Sequence, residues 1–461
     1  MAEPNTGRLK AHVRDGAKFR EPLDFSLFPE LPGSSLPPEH LARRIVRIIA
    51  ALDLGWLRRL YAHRGGVPYL PEQMLAVVLY GMSCGQRTGS DLQESCRYDD
   101  RFKFLIGGHK PDDRTFERFI ERVGPYAEEL LKSVLVLARS HGLAKGNEVA
   151  IDGCKVAGSS SWWKHSKKSD TAPSDPDARL MNSHGRRTVG YNALSAVDTA
   201  DGLIVGAALV NDQNDWHAGP VVVEAVRSQL GEYPAAAIAD SGFESPEGIE
   251  AVELMGVDTV FAPRDAGPSE CLSVNEDGEL SCPLGKVLVK LKPRKTSSGV
   301  WYDVYRPEGG CAGCPLKAQC AFFKKKLEVP MGTDPATRFR NRDRVCSATY
   351  HGALKRRRRV ETPYAHLKRH DRFDRLRGRN LGRATGEYLL WVASYNLRKI
   401  LRWDLRAFLG LFERLLDHFV KKARRMPQHY SIGRMLQHRA LRFASQRRKP
   451  SRPPLPPLNR S

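Results

Sequence analysis

The chain has 461 residues, with 74 Lys and Arg against 52 Asp and Glu, a formal net charge of +22. A hydrophobic fraction of 41% supports at least one sizeable core and excludes a mainly disordered or fibrous protein. No apolar run approaches the roughly 18–20 residues of a bilayer span, and the start, MAEPNTGRLKAHVRDG, has no apolar signal core, so a soluble cytoplasmic protein without a membrane partner is expected.

Residues 1–33, rich in Pro, Gly and charge, are expected to form an extended lead-in. Residues 34–145 read as a helical domain suited to DNA binding, with a packing or dimerising bundle as the alternative. After Pro37 and Pro38, Leu41, Ile45, Ile48, Ile49 and Leu52 recur at helical spacing. Pro71 opens a second helix. Ser90 with Gln93 predicts a capping box, a fourth helix follows Asp112–Asp113, and a fifth begins at Pro125.

The period changes after Gly146. Short apolar runs at 148–152, 193–198, 203–210, 235–240 and 257–262 predict strands, with helices at 216–230 and 246–255. That order predicts an α/β fold with a mixed sheet across residues 146–405. Residues 264–345 lose the rhythm and read as an insertion, with β-like runs at 287–291 and 300–305. Helices return after Tyr350. Residues 406–461 read as a basic C-terminal tail ending in PSRPPLPPLNRS.

The charge is unevenly placed. The last 121 residues hold 31 Lys and Arg and 8 Asp and Glu, while the first 340 hold 43 and 44. A surface that neutralises phosphates would look like this, and so would a solubilising tail.

Asp152 (AIDGCK) and Asp240 (AIADSGFES) each close an apolar strand-like run. Open α/β sheets place their sites at the carboxyl ends of strands, so the two carboxylates can share one cleft. Such oxygen ligands suit Mg²⁺. Asp198 is expected to start the turn at Asp201–Gly202, and Asp215 to cap the helix near Trp216, with a supporting or fourth metal-proximal role as the alternative for either. A third acid, Glu361, stands alone in LKRRRRVETPYAHLKRHDRF. On one continuous helix Arg357 would lie about 40° from it and Lys368 about 20°, so the three would share a face.

With these motifs the chain resembles a bacterial insertion-sequence transposase of the DDE class. Asp152 follows a short apolar strand, Asp240 lies in ADSGF, and Arg357, Glu361 and Lys368 match an Arg-x3-Glu-x6-Lys signature. GYNALSAVD, NDQNDWH and SYNLRKIL are further phrases of that family, and the similarity spans roughly residues 20–405. Leu354 and Phe243 depart from the pattern, which usually has Tyr at both places; Tyr350 would reach the same face only on a longer helix.

The resemblance implies an RNase H-like catalytic domain behind a helical DNA-binding domain. It implies Asp152, Asp240 and Glu361 as catalytic ligands of two Mg²⁺ (or Mn²⁺) ions, and Arg357 and Lys368 as phosphate contacts. The partners would be double-stranded DNA, at terminal inverted repeats and at the target, and a second copy in a synaptic homodimer on the bacterial nucleoid. A catalytically silent DNA-binding descendant and a metal-dependent nuclease remain the alternatives.

The cysteines of the insertion pose a separate question. Cys311-x2-Cys314 with Cys320 and Cys282 has the makings of a tetrahedral zinc site, with Cys271 and Cys346 as other possible fourth ligands. Reduced buried thiols are the alternative. Trp301, Tyr302 and Tyr305 could stack on an unpaired base or fill a core. No catalytic triad is indicated at Ser159–His165.

Overall fold

The computed structural model describes residues 36–37, 39–61, 67–159, 171–172, 174–183, 186–263, 272–274, 279–297, 299–318, 320 and 326–424. The expected lead-in, Cys271, the segment at 160–170 and the basic end beyond 424 lie outside the described residues. Chain contacts define one compact unit up to Arg398 and a second from Lys399. None of the described helices is long and apolar enough to cross a membrane.

The first part of the chain contains α1 (Leu41–Ala51), α2 (Gly55–Arg58), α3 (Pro71–Ser83), α4 (Gly89–Tyr98), α5 (Asp100–Leu105), α6 (Asp113–Val123) and α7 (Ala127–Ser140). Five helices were expected; α2 and α5 are too short to show a helical period. Every residue of α3 from Met74 to Met82 is buried, so this helix is the centre of the bundle. The capping box stands two residues earlier than expected. Thr88 Oγ1 accepts from Asp91 N at 2.8 Å, and Asp91 Oδ2 accepts from Thr88 N at 3.1 Å. Gln93 instead accepts from Asp113 N at 2.9 Å, which ties α4 to the start of α6. Asp112 caps α6 through Thr115 N at 2.7 Å.

A seven-stranded mixed sheet follows among the described residues. It consists of β1 (Glu148–Ala157), β2 (Thr171–Ala172), β3 (Asp175–Ser183), β4 (Arg186–Asp198), β5 (Ile204–Val210), β6 (Ala236–Ala239) and β7 (Asp258–Phe261). Its order is β2-β3-β4-β1-β6-β7, with β5 also paired to β4. The β1–β4 ladder is antiparallel, whereas β1–β6 and β6–β7 are parallel. β1 is longer than expected, because Gly153 and Lys155 interrupt the apolar signal while β4 keeps pairing as far as Ala157. Asp152 therefore lies within a strand and not at its end. β3 was not expected, since DPDARLMNS lacks a clean alternation.

Helices cover both faces. Gly206 and its partner Ala196 face α8 (Ala218–Leu230), where a Cβ on Gly206 would meet Val226. One residue along, Ser195 faces the other way, and its hydroxyl lies 2.7 Å from that of Tyr388 in the long helix Leu381–Arg424. α9 (Pro246–Leu254) packs beside β7. Beyond it come a two-stranded ribbon, β8 (Ser273–Val274) with β9 (Leu280–Ser281), and a three-stranded sheet, β10 (Leu288–Lys295), β11 (Trp301–Pro307) and β12 (Leu327–Pro330). α10 (Thr337–Cys346) then returns to the main sheet. There the Asn341 amide accepts from Phe261 N at 2.8 Å and donates to Phe261 O at 2.9 Å, imitating a neighbouring strand at β7. Three further helices complete the order: α11 (Ala353–Arg356), α12 (Glu361–Arg369) and α13 (Leu381–Arg424).

The helical bundle is fastened to the α/β part by a buried cation. Arg87 pairs with Glu387 at 2.7 Å, donates to the Arg375 carbonyl at 2.7 Å and to that of Arg372, and lies 4.0 Å from the Phe373 ring centre. Removing one partner of a buried pair strands the other charge, at a cost of about 3–5 kcal/mol. Arg87→Ala should lower stability by about that much in chemical denaturation, whereas Arg58→Ala, which breaks an exposed pair with Glu72, should cost less than about 1 kcal/mol.

Candidate active site

The parallel β1–β6 register brings the first two acids together. Ala150 pairs with Ile238, and two residues further along each chain stand Asp152 and Asp240. Asp152 Oδ1 accepts from Gly153 N at 2.8 Å, and Asp240 Oδ1 accepts from Gly242 N at 2.8 Å. Burial pushes the Asp152 carboxyl up to about 7. The Gly153 N–H and the Arg357 charge oppose this, and the negative charges of Asp240 and Asp215 add to it.

Asp215 belongs to this cluster, contrary to the helix-capping role expected for it. α8 begins at Ala218 after His217, with no side-chain cap. The Asp215 side chain instead accepts from Lys155 Nζ at 3.0 Å and Asn192 Nδ2 at 2.6 Å. A Cβ on Gly153 would lie 2.6 Å from Asp215 Oδ1, so this glycine is what admits the carboxylate beside β1. Lys155 was the available signal: a strand lysine three residues after an acid, whose side chain is only 9% exposed, needs a counter-charge. Asp198 does shape the expected turn, accepting from Ala200 N and Gly146 N, both at 2.7 Å.

The basic segment around Glu361 is not one continuous helix. Gly352, with φ of 74°, precedes α11; a 3₁₀ turn covers Arg357–Val360, and α12 begins at Glu361. Arg357 still pairs with Glu361 at 3.4 Å, and its charge also reaches Asp152. Lys368 lies beside Cys154, two residues from Asp152 on β1. Burial pushes the Cys154 thiol up and the Lys368 charge works against it. Tyr364 fixes the assembly: its hydroxyl lies 2.7 Å from Asp152 O and 2.9 Å from Ala193 O.

Besides Arg357, two more of the four consecutive arginines are engaged within the protein. Arg356 grips Glu148 at 2.7 and 2.6 Å, and Arg359 donates to the Ala200 carbonyl at 2.7 Å. Tyr350 is not on the acid-bearing helix; it donates to Asp258 at 2.5 Å. Leu354 packs with Ile238 and Val260, and Phe243 is buried edge-on to Phe261. Tyr305 packs against the core of the small sheet, while Trp301 is exposed with Lys295 Nζ 5.5 Å from its ring centre.

The structure thus brings Asp240 and Asp215 close enough to act on Asp152, while Glu361, with its side chain 58% exposed, is linked to them only through Arg357. Among the described residues no three His, Cys, Asp or Glu converge closely enough to hold a metal. A half-buried carboxylate crowded by two others nevertheless has the donor chemistry of a Mg²⁺ site, which takes one or two carboxylates plus phosphate oxygens and water. Cys282, Cys311, Cys314 and Cys320 line one small cavity in the insertion.

A family model described as Transposase DDE domain matches residues 155–397, and one described as Transposase domain (DUF772) matches residues 32–122. The chain belongs to this DDE transposase family and is a DNA transposase, an enzyme of DNA cleavage and transfer. Among curated proteins none matches significantly. Among solved structures, a cryo-EM structure of a piggyBac transposase synaptic complex with hairpin DNA is similar at 12% identity and a TM-score of 0.30. That likeness covers 87% of this chain and 84% of that one.

The raised Asp152 carboxyl makes stability depend on pH. Its ordinary value is about 3.9, so folding favours the protonated form. That contribution is complete below about pH 4 and is lost as pH rises through about 7. Without divalent cations, Tm should therefore fall between pH 5 and 8 more steeply for the wild type than for Asp152→Asn. Parallel profiles in a thermal-shift titration would refute the assignment.

Proposed function

We propose that this transposase cuts the ends of an insertion sequence at inverted repeats and joins them to target DNA, with Asp152, Asp240 and Glu361 as its catalytic carboxylates. The observation that carries the reading is that Asp152 and Asp240 each stand two residues beyond the paired Ala150 and Ile238, with the Arg357 charge, itself paired to Glu361, reaching Asp152. These three residues would hold divalent cations, Mg²⁺ or Mn²⁺. Two such ions, when bound, supply an activated water or 3′-hydroxyl and stabilise the leaving oxygen of an in-line displacement.

The chain's own groups do the rest. Arg357 and Lys368 would contact phosphates flanking the scissile bond, where non-bridging oxygens concentrate charge. An incoming phosphate would also draw Arg357 away from Glu361 and release that carboxylate toward the two aspartates. Asp215, held by Lys155 and Asn192, adds a negative charge that favours cation binding at Asp152. The partners would be double-stranded DNA and a second copy of the chain in a synaptic complex, acting on the bacterial nucleoid in the cytoplasm.

Incubation with the DNA flanking the gene and Mg²⁺, with products mapped to the nucleotide, tests the reading. Asp152→Ala, Asp240→Ala and Glu361→Ala should each lower cleavage by about a thousandfold or more while DNA binding persists. Metal-assisted charge stabilisation is worth several kcal/mol, and each 1.4 kcal/mol is tenfold. Undiminished cleavage would sink the assignment, and cleavage without joining of a labelled 3′-hydroxyl end would leave a nuclease. Lys368→Ala should weaken binding of all DNA sequences alike and reduce the salt slope by about one.

A further inference from the structure

We propose that Cys282, Cys311, Cys314 and Cys320 bind one structural zinc ion that holds the inserted β module together. All four line a single cavity of about 20 Å³. A void of that size holds about one water-sized particle, which excludes an organic ligand and suits an ion. Cys282, Cys311 and Cys320 are buried, Cys314 is partly exposed, and none of the four is in a disulfide.

The backbone around the thiols is shaped in two tight turns. Gly285 (φ 72°) donates to the Cys282 carbonyl at 2.8 Å, and Gly313 (φ 72°) lets Cys314 N turn back to the Cys311 carbonyl at 3.4 Å. Cys320 reaches the same cavity from a third turn, its N–H donating to Leu316 O at 2.9 Å. Three separate turns thus deliver four thiols to one point, including the Cys-x2-Cys spacing usual for zinc. Lys286 also lines the cavity and donates to the Gly310 carbonyl at 3.2 Å, placing a cation next to what becomes a dianionic centre.

Among the described residues the module has little else to hold it. Its buried core contains Leu272, Leu280, Leu327 and Val329 besides three of the cysteines. So small an apolar core ordinarily needs a disulfide or a metal. The sulfurs stand around the wall of the cavity and not at ligating distance, so the ion itself would draw them in. Binding exchanges four S–H bonds for four Zn–S bonds and releases four protons, with no change of oxidation state. Cys346 is exposed on α10 and has no part in the cavity.

The inference is independent of the DNA chemistry. The full-length chain, expressed with zinc in the medium and purified under reducing conditions, should contain about one zinc per chain by elemental mass spectrometry. Zinc should be lost in Cys311→Ser and Cys320→Ser and kept in Cys346→Ser and Asp152→Ala. Where a serine variant fails to fold, cobalt exchanged into the wild-type chain decides, by the visible bands of tetrahedral thiolate coordination. Wild-type protein with neither zinc nor those bands, or an intact mass two hydrogens short with a disulfide mapped to these cysteines, would overturn the proposal.

Discussion

The candidate site depends on one buried hydroxyl. Tyr364 directs its single proton between the carbonyls of Asp152 on β1 and Ala193 on β4, and so fixes α12 against the strand that carries the first acid. Glu361 begins the same helix three residues earlier, and Lys368 lies in its last turn. With Tyr364 in place, the distances among Asp152, Arg357 and Glu361 become properties of the sheet; without it, the acid would ride on a loose basic segment. Burial pushes the phenol far above its ordinary value, which keeps it a neutral donor at any physiological pH.

Around that anchor the charges are arranged in opposition. Asp152, Asp240 and Asp215 crowd one end of the β1–β6 pair; at Asp152 burial, and after it the neighbouring negative charges, oppose ionisation, and the Gly153 N–H and Arg357 only partly offset them. A protein that needed only stability would not hold an aspartate this way, since an apolar residue would remove the repulsion at no electrostatic cost. The arrangement has a physical rationale when a divalent cation and a phosphate complete it.

Much of this was legible in the sequence, for reasons that differ by element. Short apolar runs marked β1, β6 and β7 because buried parallel strands are apolar on both faces, and the acid after each of the first two runs marked the site. The insertion announced itself by losing that rhythm. What escaped was set by tertiary contacts. Asp215 looked like a cap because the polar turn before a helix usually supplies one, yet Lys155 and Asn192 claim its carboxylate across the sheet. The continuous helix drawn through the arginines failed at the 3₁₀ turn, although Arg357 and Glu361 still meet, because i,i+4 neighbours remain close across such a turn.

The net charge is the coarsest signal, and the structure divides it. Arg87, Arg398, Arg340, Arg344 and Arg356 are spent on carboxylates of the protein itself and hold helices to the sheet or to one another. Several of these lie in the basic C-terminal quarter, so counting cations there overstates what can meet DNA. Lys355, Arg358, Lys368 and Arg369 are exposed, and all flank Glu361 on the short stretch from α11 to α12. Cations that serve the fold are drawn inward to fixed partners, whereas cations that serve a polyanion must keep their heads in water until it arrives. By that criterion the strip around Glu361 is the part of the described surface best suited to meet a polyanion, and what distinguishes it is the position of its charge more than the amount.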